Sequence, residues 1–376
     1  MNRTLKGLVA AGILAFSGTL IAQQGAPGGT EISFDSADLL KWDDGHIVGE
    51  VGGVGQDSKG RVYVYTRTGH AYATLGDNRT FQRYGSKLFQ YDASGKFVRE
   101  LGQDVYGFNI AYGLRVDPQD NVWTIDAGAI QVVKFDPNGN VALVLGRKPE
   151  AIGVRPAAPR GGGPGAGAGA GGGGGGGGRG AGPGGAPAAA PGSGTPGSTF
   201  NRPSDVAFDK AGNIYIADGM AGNVNRIAKF NKEGNFLKQW GSTGAGDGQF
   251  SGPKALAVDA NGNVYVADSG NKRIEVFDAD GTFKSQFSGV GSPLAMCITS
   301  GSTQYLYISH AGDKDGMDDA AILKVSLDGK IVGKFGSAGR QLKQFGLANS
   351  LDCRSETELL VGEMTNWRVQ KVSLKK

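Results

Sequence analysis

The chain has 376 residues, 39% of them hydrophobic, and its 39 basic side chains against 35 acidic ones give a net charge of +4. This length is enough for one large domain with an ample core. Lysine and arginine are scattered among the turns and mixed with aspartate, whereas a nucleic-acid binder concentrates its positive charge in a patch or stripe. The composition therefore argues against nucleic acid as a partner.

The N-terminus, residues 1–22, has the pattern of a signal peptide. Arg3 and Lys6 precede an apolar run, residues 7–22, which ends in small residues near Ala22. A membrane anchor is the alternative, but the run is shorter than the ~20 residues that a membrane span needs. We expect an exported, monomeric mature chain, periplasmic or extracellular, with no further membrane contact. Loss of the two basic side chains would lower its net charge from +4 to +2.

One sequence motif recurs along the rest of the chain. Residues 206–218 read VAFDKAGNIYIAD and residues 256–268 read LAVDANGNVYVAD, with weaker copies at 54–66, 114–126 and 351–363. Short alternating strands and glycine turns that repeat every ~45–50 residues predict an all-β propeller in which each copy is one blade. We place six blades, at residues 46–104, 105–152, 200–250, 251–291, 292–345 and 346–374.

The two ends of the predicted ring must be joined, because the sixth blade has only three strands. We expect the N-terminal segment, residues 23–45, to supply the missing outer strand through Glu31–Trp42 and so cover an edge that would invite aggregation.

Residues 153–199 interrupt the repeats with glycine, alanine and proline. Such a segment has little apolar surface to bury, which predicts a flexible insert, either functional or merely tolerated.

Two strand ends serve as landmarks in the repeats. The first strand ends at Asp57, Asp117, Asp209, Asp259 or Arg354, and the second ends nine positions later, often at an acid. An arginine follows that acid in three blades: Asp218/Arg226, Asp268/Arg273 and Glu363/Arg368. Because the pair repeats from blade to blade, we expect it to have a structural role, as a hydrogen-bonded ion pair that fixes the hairpin.

Cys297 and Cys353 lie on the first strands of neighbouring blades. Small core residues are the simpler interpretation of this pair, and a disulfide is the alternative.

Four side chains are candidates for ligand binding. Their register places Arg67, Tyr112, Lys254 and Asn349 near one end of the central channel. A guanidinium fork and an ammonium there could hold a small polar or anionic ligand, although the four residues could equally line a water-filled tunnel.

Four acidic residues follow His310 closely in the sequence: Asp313, Asp315, Asp318 and Asp319. They are candidates for a Ca²⁺ site, with a solvated acidic loop as the simpler interpretation.

The blades resemble NHL repeats, best at residues 201–219 and 246–281. Residues 62–72, 132–147 and 216–241 look most like the propeller of the peptidyl-α-hydroxyglycine amidating lyases. That resemblance implies a zinc enzyme whose three histidines stand five residues before the landmark. Here those positions are Tyr112, Lys254 and Asn349, which cannot supply the ligands that zinc needs. The family's tyrosine is replaced by Met220 and its second channel arginine by Ser269, whereas Arg67, with His70 nearby, fits its first-blade arginine motif.

Three functions remain open. We favour a propeller that binds a small polar or anionic ligand, or a protein partner, at its channel mouth and rim, with calcium as the one candidate cofactor. The first alternative is a diverged amidating-lyase-like carbon–nitrogen lyase with an altered metal site, for which Arg67, His70 and His310 are the candidate functional groups. The second is a non-catalytic extracellular scaffold that docks a partner through its blade loops.

Overall fold

The computed structural model describes residues 28–41, 48–68, 73–75, 79–81, 85–103, 105–146, 199–220, 224–311 and 320–375. The predicted signal peptide and most of the predicted Gly-rich insert lie outside these ranges. Strands and turns account for the described residues, and no helix among them is long and apolar enough to cross a membrane.

Six four-stranded antiparallel sheets form the blades, which confirms the predicted six-bladed all-β propeller. In chain order the strands are β1 (Phe34–Asp38), β2 (Glu50–Gln56), β3 (Val62–Arg67), β4 (Ala73–Leu75), β5 (Arg79–Phe81), β6 (Ser86–Tyr91), β7 (Phe97–Leu101), β8 (Ala111–Val116), β9 (Val122–Asp126), β10 (Gln131–Phe135), β11 (Val141–Leu145), β12 (Pro203–Phe208), β13 (Ile214–Asp218), β14 (Arg226–Phe230), β15 (Phe236–Trp240), β16 (Ser242–Thr243), β17 (Gln249–Phe250), β18 (Pro253–Val258), β19 (Val264–Asp268), β20 (Arg273–Phe277), β21 (Phe283–Ser288), β22 (Ser292–Ile298), β23 (Tyr305–Ala311), β24 (Ala321–Ser326), β25 (Ile331–Phe335), β26 (Ser337–Ala338), β27 (Gln344–Phe345), β28 (Ala348–Asp352), β29 (Glu358–Glu363) and β30 (Arg368–Leu374).

The innermost strand of each blade lines the channel. From the channel outwards, the six blades are β2-β3-β6-β7, β8 to β11, β12 to β15, β18 to β21, β22 to β25, and β28-β29-β30-β1. A short hairpin, β4-β5, is added to blade one, and the parallel pairs β16-β17 and β26-β27 lie in the connections that lead into blades four and six.

The N-terminal strand closes the ring, as the sequence predicts. Strand β1 pairs antiparallel with β30, from Phe34 opposite Leu374 to Asp38 opposite Gln370. The residues on either side of β1 reach the two neighbouring blades, because Ile32 N–H donates to the carbonyl of Lys334 and Lys41 N–H donates to the carbonyl of Gly95. One segment thus connects blades five, six and one, and it covers the outer edge of β30.

The apolar core lies between neighbouring blades. Residues that alternate along the strands face the next blade, as in the cluster of Trp123, Val132, Ile214, Ile216 and Phe230 between blades two and three. Corresponding clusters fill the other five interfaces of the described ring. Because each sheet packs on both of its faces, strands such as β13 and β19 are buried at every residue.

The landmark aspartates fix the turn between the first two strands. Asp259 accepts hydrogen bonds from the backbone N–H groups of Asn261 and Asn263, both at 2.8 Å, and from the hydroxyl of Tyr265 at 3.3 Å. Gly262 has a φ of +84°, a conformation that favours glycine. Asp57, Asp117 and Asp209 bind their own turns in the same way.

The repeated acid–arginine pairs are hydrogen-bonded and largely buried, which confirms the predicted structural role. Arg273 donates from Nε to Asp268 at 3.0 Å, while its terminal nitrogens donate to the carbonyls of Ala245, Gly246 and Gln249. Asp268 in turn accepts from Ser251 N–H. Each pair therefore ties a hairpin to the connection from the preceding blade, as do Asp218/Arg226 and Glu363/Arg368.

Cys297 and Cys353 form a disulfide, so the simpler interpretation of two small core residues was wrong. Their Cα atoms are 5.9 Å apart, and the bond joins the innermost strands of blades five and six near the ends of those strands. The sequence leaves this pairing open because repeat register predicts only that the two strands are neighbours. The side-chain directions that a disulfide requires are set by the packed blades.

Reduction of this disulfide should destabilise the fold. The bond closes a loop between cysteines 56 positions apart, for which chain entropy alone gives a loss on the order of 4 kcal/mol. Urea unfolding with and without dithiothreitol measures the change in unfolding free energy. The variant with Cys297→Ser and Cys353→Ser is the control, since reductant should not affect it. Equal stability of the oxidised and reduced wild type would contradict the prediction.

Candidate functional site

A β-bulge at the second or third residue of every innermost strand builds the mouth of the channel. The pairing of each such strand with its neighbour skips one residue, so the series around the ring is Gly52, Tyr112, Ser204, Lys254, Leu294 and Asn349. A bulge re-aims its side chain and increases the local twist. We call the face on which these strands begin the upper face and the opposite one the lower face.

Three of the four predicted ligand-binding residues lie together at this mouth. Nζ of Lys254 is 2.8 Å from the hydroxyl oxygen of Tyr112 and lies 5.3 Å from the centre of its ring. Nδ2 of Asn349 donates to the carbonyl of Tyr112 at 2.8 Å and to that of Gly52 at 3.0 Å. The structure thus brings side chains from blades two, four and six into one group, whose role in ligand binding stays a prediction.

Arg67 lies beside this group without touching Lys254 or Asn349. It is the last residue of β3, and its Nε donates to the carbonyl of Ala111 at 2.8 Å, next to Tyr112. One terminal nitrogen is 3.1 Å from Glu50 Oε2. The side chains of Arg67 and Glu50 are 29% and 44% exposed, so this ion pair is accessible to solvent at the rim.

Apolar side chains surround the polar group. Tyr112, Ala127 and Met364 form a small buried cluster, against which Ile110, Met220 and Leu347 pack. Met220 and Met364 are the thioether side chains of this rim, and such side chains adapt easily to the shape of a ligand. The mouth therefore combines an apolar border with hydrogen-bond donors and positive charge.

Below the mouth the channel is closed by Arg115, which sequence reasoning missed. Its guanidinium forms a two-fold contact with Asp205, with Nε 2.9 Å from Oδ1 and a terminal nitrogen 2.5 Å from Oδ2. It also donates to the carbonyls of Leu351 and Met296. The space left for water between this plug and the mouth is about 10 Å³, roughly one molecule.

Of the remaining candidates, only His310 lies among the described residues, and it is buried near the end of β23. His310 is 3% exposed, at the position of β23 where other blades carry the acid, opposite Pro293. Its ring contacts Gly291, where an added Cβ would come within 2.9 Å of Nδ1. This burial argues for a packing role. His70, Asp313, Asp315, Asp318 and Asp319 lie outside the described residues.

Comparison with known proteins identifies the repeat. The profile of the NHL repeat matches residues 200–230 and 250–277, in blades three and four. The chain carries NHL repeats. NHL repeat-containing protein 3 of Homo sapiens is 39% identical over 95 residues, which cover 23% of this chain and 27% of that protein.

The NHL propeller is also related, at modest identity, to the amidating lyases. Peptidyl-alpha-hydroxyglycine alpha-amidating lyase 1 of Drosophila melanogaster is 28% identical over 206 residues, which are 52% of this chain and 29% of that protein. Peptidylglycine alpha-amidating monooxygenase of Rattus norvegicus is 25% identical over 226 residues, 57% of this chain and 18% of that protein. The match thus spans less than a third of either relative.

Solved structures share the fold of this NHL propeller. A gluconolactonase from Xanthomonas campestris has a TM-score of 0.56 at 14% identity, and the match covers 93% of this chain and 97% of that one. A streptogramin B lyase has a TM-score of 0.51 at 12% identity, with 91% and 98% covered. Identity this low supports the common fold alone.

The side chains at the mouth of the NHL propeller do not fit zinc. Zinc binds deprotonated nitrogen, sulfur or oxygen ligands, usually three from the protein at a catalytic site. Lys254 presents an ammonium, Asn349 points its donor nitrogen at two carbonyls, and Tyr112 offers a hydroxyl that already contacts Lys254. The described residues contain no group of three histidine, cysteine or acidic side chains that could hold a metal.

We therefore expect the purified full-length protein to contain less than about 0.1 zinc per chain, because a catalytic site needs about three suitable ligands. Inductively coupled plasma mass spectrometry, before and after dialysis against a chelator, measures this content. A triple variant, Tyr112→His, Lys254→His and Asn349→His, is the positive control, since three convergent imidazoles should bind zinc. Near-stoichiometric zinc in the wild type would contradict the prediction and reopen the lyase assignment.

Proposed function

We propose that this NHL propeller binds a small organic anion at the mouth of its channel. The observation that carries the proposal is Lys254, whose ammonium contacts the hydroxyl of Tyr112, another residue in the ring of bulges. In the described part of the chain, no carboxylate pairs with this ammonium. A partly buried cation without an ion-pair partner attracts an anionic ligand.

Arg67 adds a second cation at the edge of the same site. Glu50 offsets part of its charge, but the pair is solvent-exposed, and an exposed pair contributes little stability, ~0–1 kcal/mol. A ligand carboxylate could therefore compete with Glu50 for the guanidinium at small cost. Arginine presents a planar fork that matches a carboxylate, whereas lysine acts as a point charge.

The apolar rim supports a ligand with an apolar part next to its carboxylate. Met220, Met364 and Ile110 would contact that part while the charged end reaches Lys254. The relatives are named for action on peptidyl-α-hydroxyglycine, which is a peptide that ends in a carboxylate. Acylated glycines and short peptide C-termini are accordingly the ligand class that we propose.

Export is part of this proposal. A signal peptide is expected at residues 1–22, and disulfides persist mainly in oxidising compartments. The Cys297–Cys353 disulfide supports a location outside the cytosol. A peptide or acyl-amino acid from the surroundings would then reach the mouth without entering the cytosol.

Calorimetric titration with hippurate, an N-acylated glycine, tests the site. We expect binding to the wild type, weaker binding of the uncharged hippuramide, and a loss of at least about tenfold in hippurate affinity in Lys254→Met. Lys232→Met is the matched control, because Lys232 lies in an exposed outer turn with its side chain 71% exposed. Equal affinities of wild type and Lys254→Met would refute the proposal.

A diverged lyase is the second candidate, which the relationship to the amidating lyases favours. In that reaction the carbon–nitrogen bond of a peptidyl-α-hydroxyglycine breaks, the α-hydroxyl loses its proton as its oxygen becomes an aldehyde, the nitrogen gains one proton to become the peptide amide, and the two-carbon fragment leaves as glyoxylate. The mouth residues do not fit zinc, so we expect no glyoxylate above the buffer rate, with or without added zinc. A colorimetric glyoxylate assay with an α-hydroxyhippurate substrate measures this. Turnover that Arg67→Gln abolishes would establish the lyase instead.

A further inference from the structure

A large cavity lies at the lower face, at the other end of the channel from the mouth. Its volume is about 420 Å³, within the range of small-molecule sites. The last residues of innermost strands from blades two to six line it, so that Val116, Phe208, Val258 and Ile298 form apolar walls. The Cys297–Cys353 disulfide forms part of the wall between blades five and six.

Arg115 separates this cavity from the mouth. Its guanidinium lies across the channel, and Arg115 lines both the lower cavity and the small space below the mouth. Four of its five N–H groups are occupied by Asp205 and by the carbonyls of Leu351 and Met296. A ligand in the lower cavity would therefore be independent of one at the upper mouth.

Arg354 is the unusual charge in the lower cavity. It stands at the landmark position where four other blades carry an aspartate that binds its own turn. The guanidinium donates no hydrogen bond to any described residue, and its Nε is buried without a partner. A buried donor without a partner is unfavourable, more so when the group is charged. The side chain is 37% exposed in total, so its terminal nitrogens remain accessible.

The nearest carboxylate does not satisfy Arg354. Oδ1 of Asp352 is 3.9 Å from Nε, too far for a hydrogen bond. The other oxygen of Asp352 accepts from the N–H of Gln56 at 2.7 Å. Burial raises the pKa of the Asp352 carboxyl, opposed by the charges of Arg354 and Arg115 and by the Gln56 hydrogen bond. Arg354 therefore presents a positive charge, with N–H groups that have no protein partner, to a cavity whose walls are mainly apolar.

We infer that the lower cavity is a second ligand site, one that takes a small monocarboxylic acid with an aromatic or branched apolar body. The carboxylate binds the terminal nitrogens of Arg354, and the body lies against Val116, Phe208, Val258 and Ile298. Charge-assisted hydrogen bonds from a guanidinium favour a carboxylate over a neutral amide of the same shape. The disulfide holds the blade-five and blade-six walls at a fixed separation, so reduction should weaken binding.

The test is the binding of phenylacetate and of its uncharged analogue phenylacetamide to the full-length protein, followed by saturation-transfer NMR and calorimetry. We expect phenylacetate to bind at least about tenfold more tightly than phenylacetamide, and Arg354→Gln to remove this preference. Val258→Phe, which fills the cavity, should weaken both compounds. Arg340→Gln, an exposed arginine at another position, is the matched control, and melting curves show whether each variant is folded.

Two outcomes would overturn the inference. The first is no saturation transfer from phenylacetate at about 5 mM, a concentration that detects even a weak complex. The second is binding that Lys254→Met removes and Arg354→Gln leaves unchanged, which would place phenylacetate at the upper mouth. That result would refute the second site while supporting the proposed function. Conversely, loss of hippurate binding in Lys254→Met with phenylacetate unaffected would separate the two sites.

Discussion

Arg115 spans the channel below the mouth, and four of the five N–H groups of its guanidinium donate to other blades. Asp205 in blade three and the carbonyls of Leu351 and Met296 in blades six and five supply these bonds. A buried charge that loses its partner costs about 3–5 kcal/mol, so this contact holds four blades in one arrangement. It also divides the channel, and both candidate sites depend on that division. The mouth is shallow because Arg115 closes it from below, and the lower cavity is separate for the same reason.

The ring of bulges explains how one backbone could serve different ligands. Each innermost strand turns one extra residue towards the channel at the same height. The resemblance to the amidating lyases implies histidines at three of these positions, where this chain has Tyr112, Lys254 and Asn349. The backbone geometry can stay constant while the side chains change from metal ligands to an ammonium and hydrogen-bond donors. Relationship at modest identity is therefore compatible with a different chemistry at the mouth.

The sequence predicted the fold well because a propeller repeats local rules. The alternation of strand residues, the glycine turns and the landmark aspartates each act within one blade, and six copies reinforce the pattern. Repeat register also predicted that Tyr112, Lys254 and Asn349 converge, since equivalent positions in a ring lie at equal height. It placed Arg67 near them but did not reveal its contact with Glu50. His310, a candidate functional group, is buried at the position where other blades carry the acid, and its burial could not be read from the repeat.

The features that sequence reasoning missed depend on contacts between blades far apart in the chain. Arg115 stands two residues before the landmark, where other blades have a small residue such as Ala207 or Ala257. This difference between the repeats was the signal in the sequence that could have revealed its role. Its meaning appears only when Asp205, 90 positions away, lies opposite. Cys297 and Cys353 are likewise joined by packing, and Arg354 faces a cavity that five blades enclose. The sequence by itself determined the blades, the turns and the register of the mouth, because neighbouring residues dictate these. Tertiary structure decided which charged side chains form ion pairs and which keep N–H groups without a protein partner, because the distances between blades are set only when the ring closes.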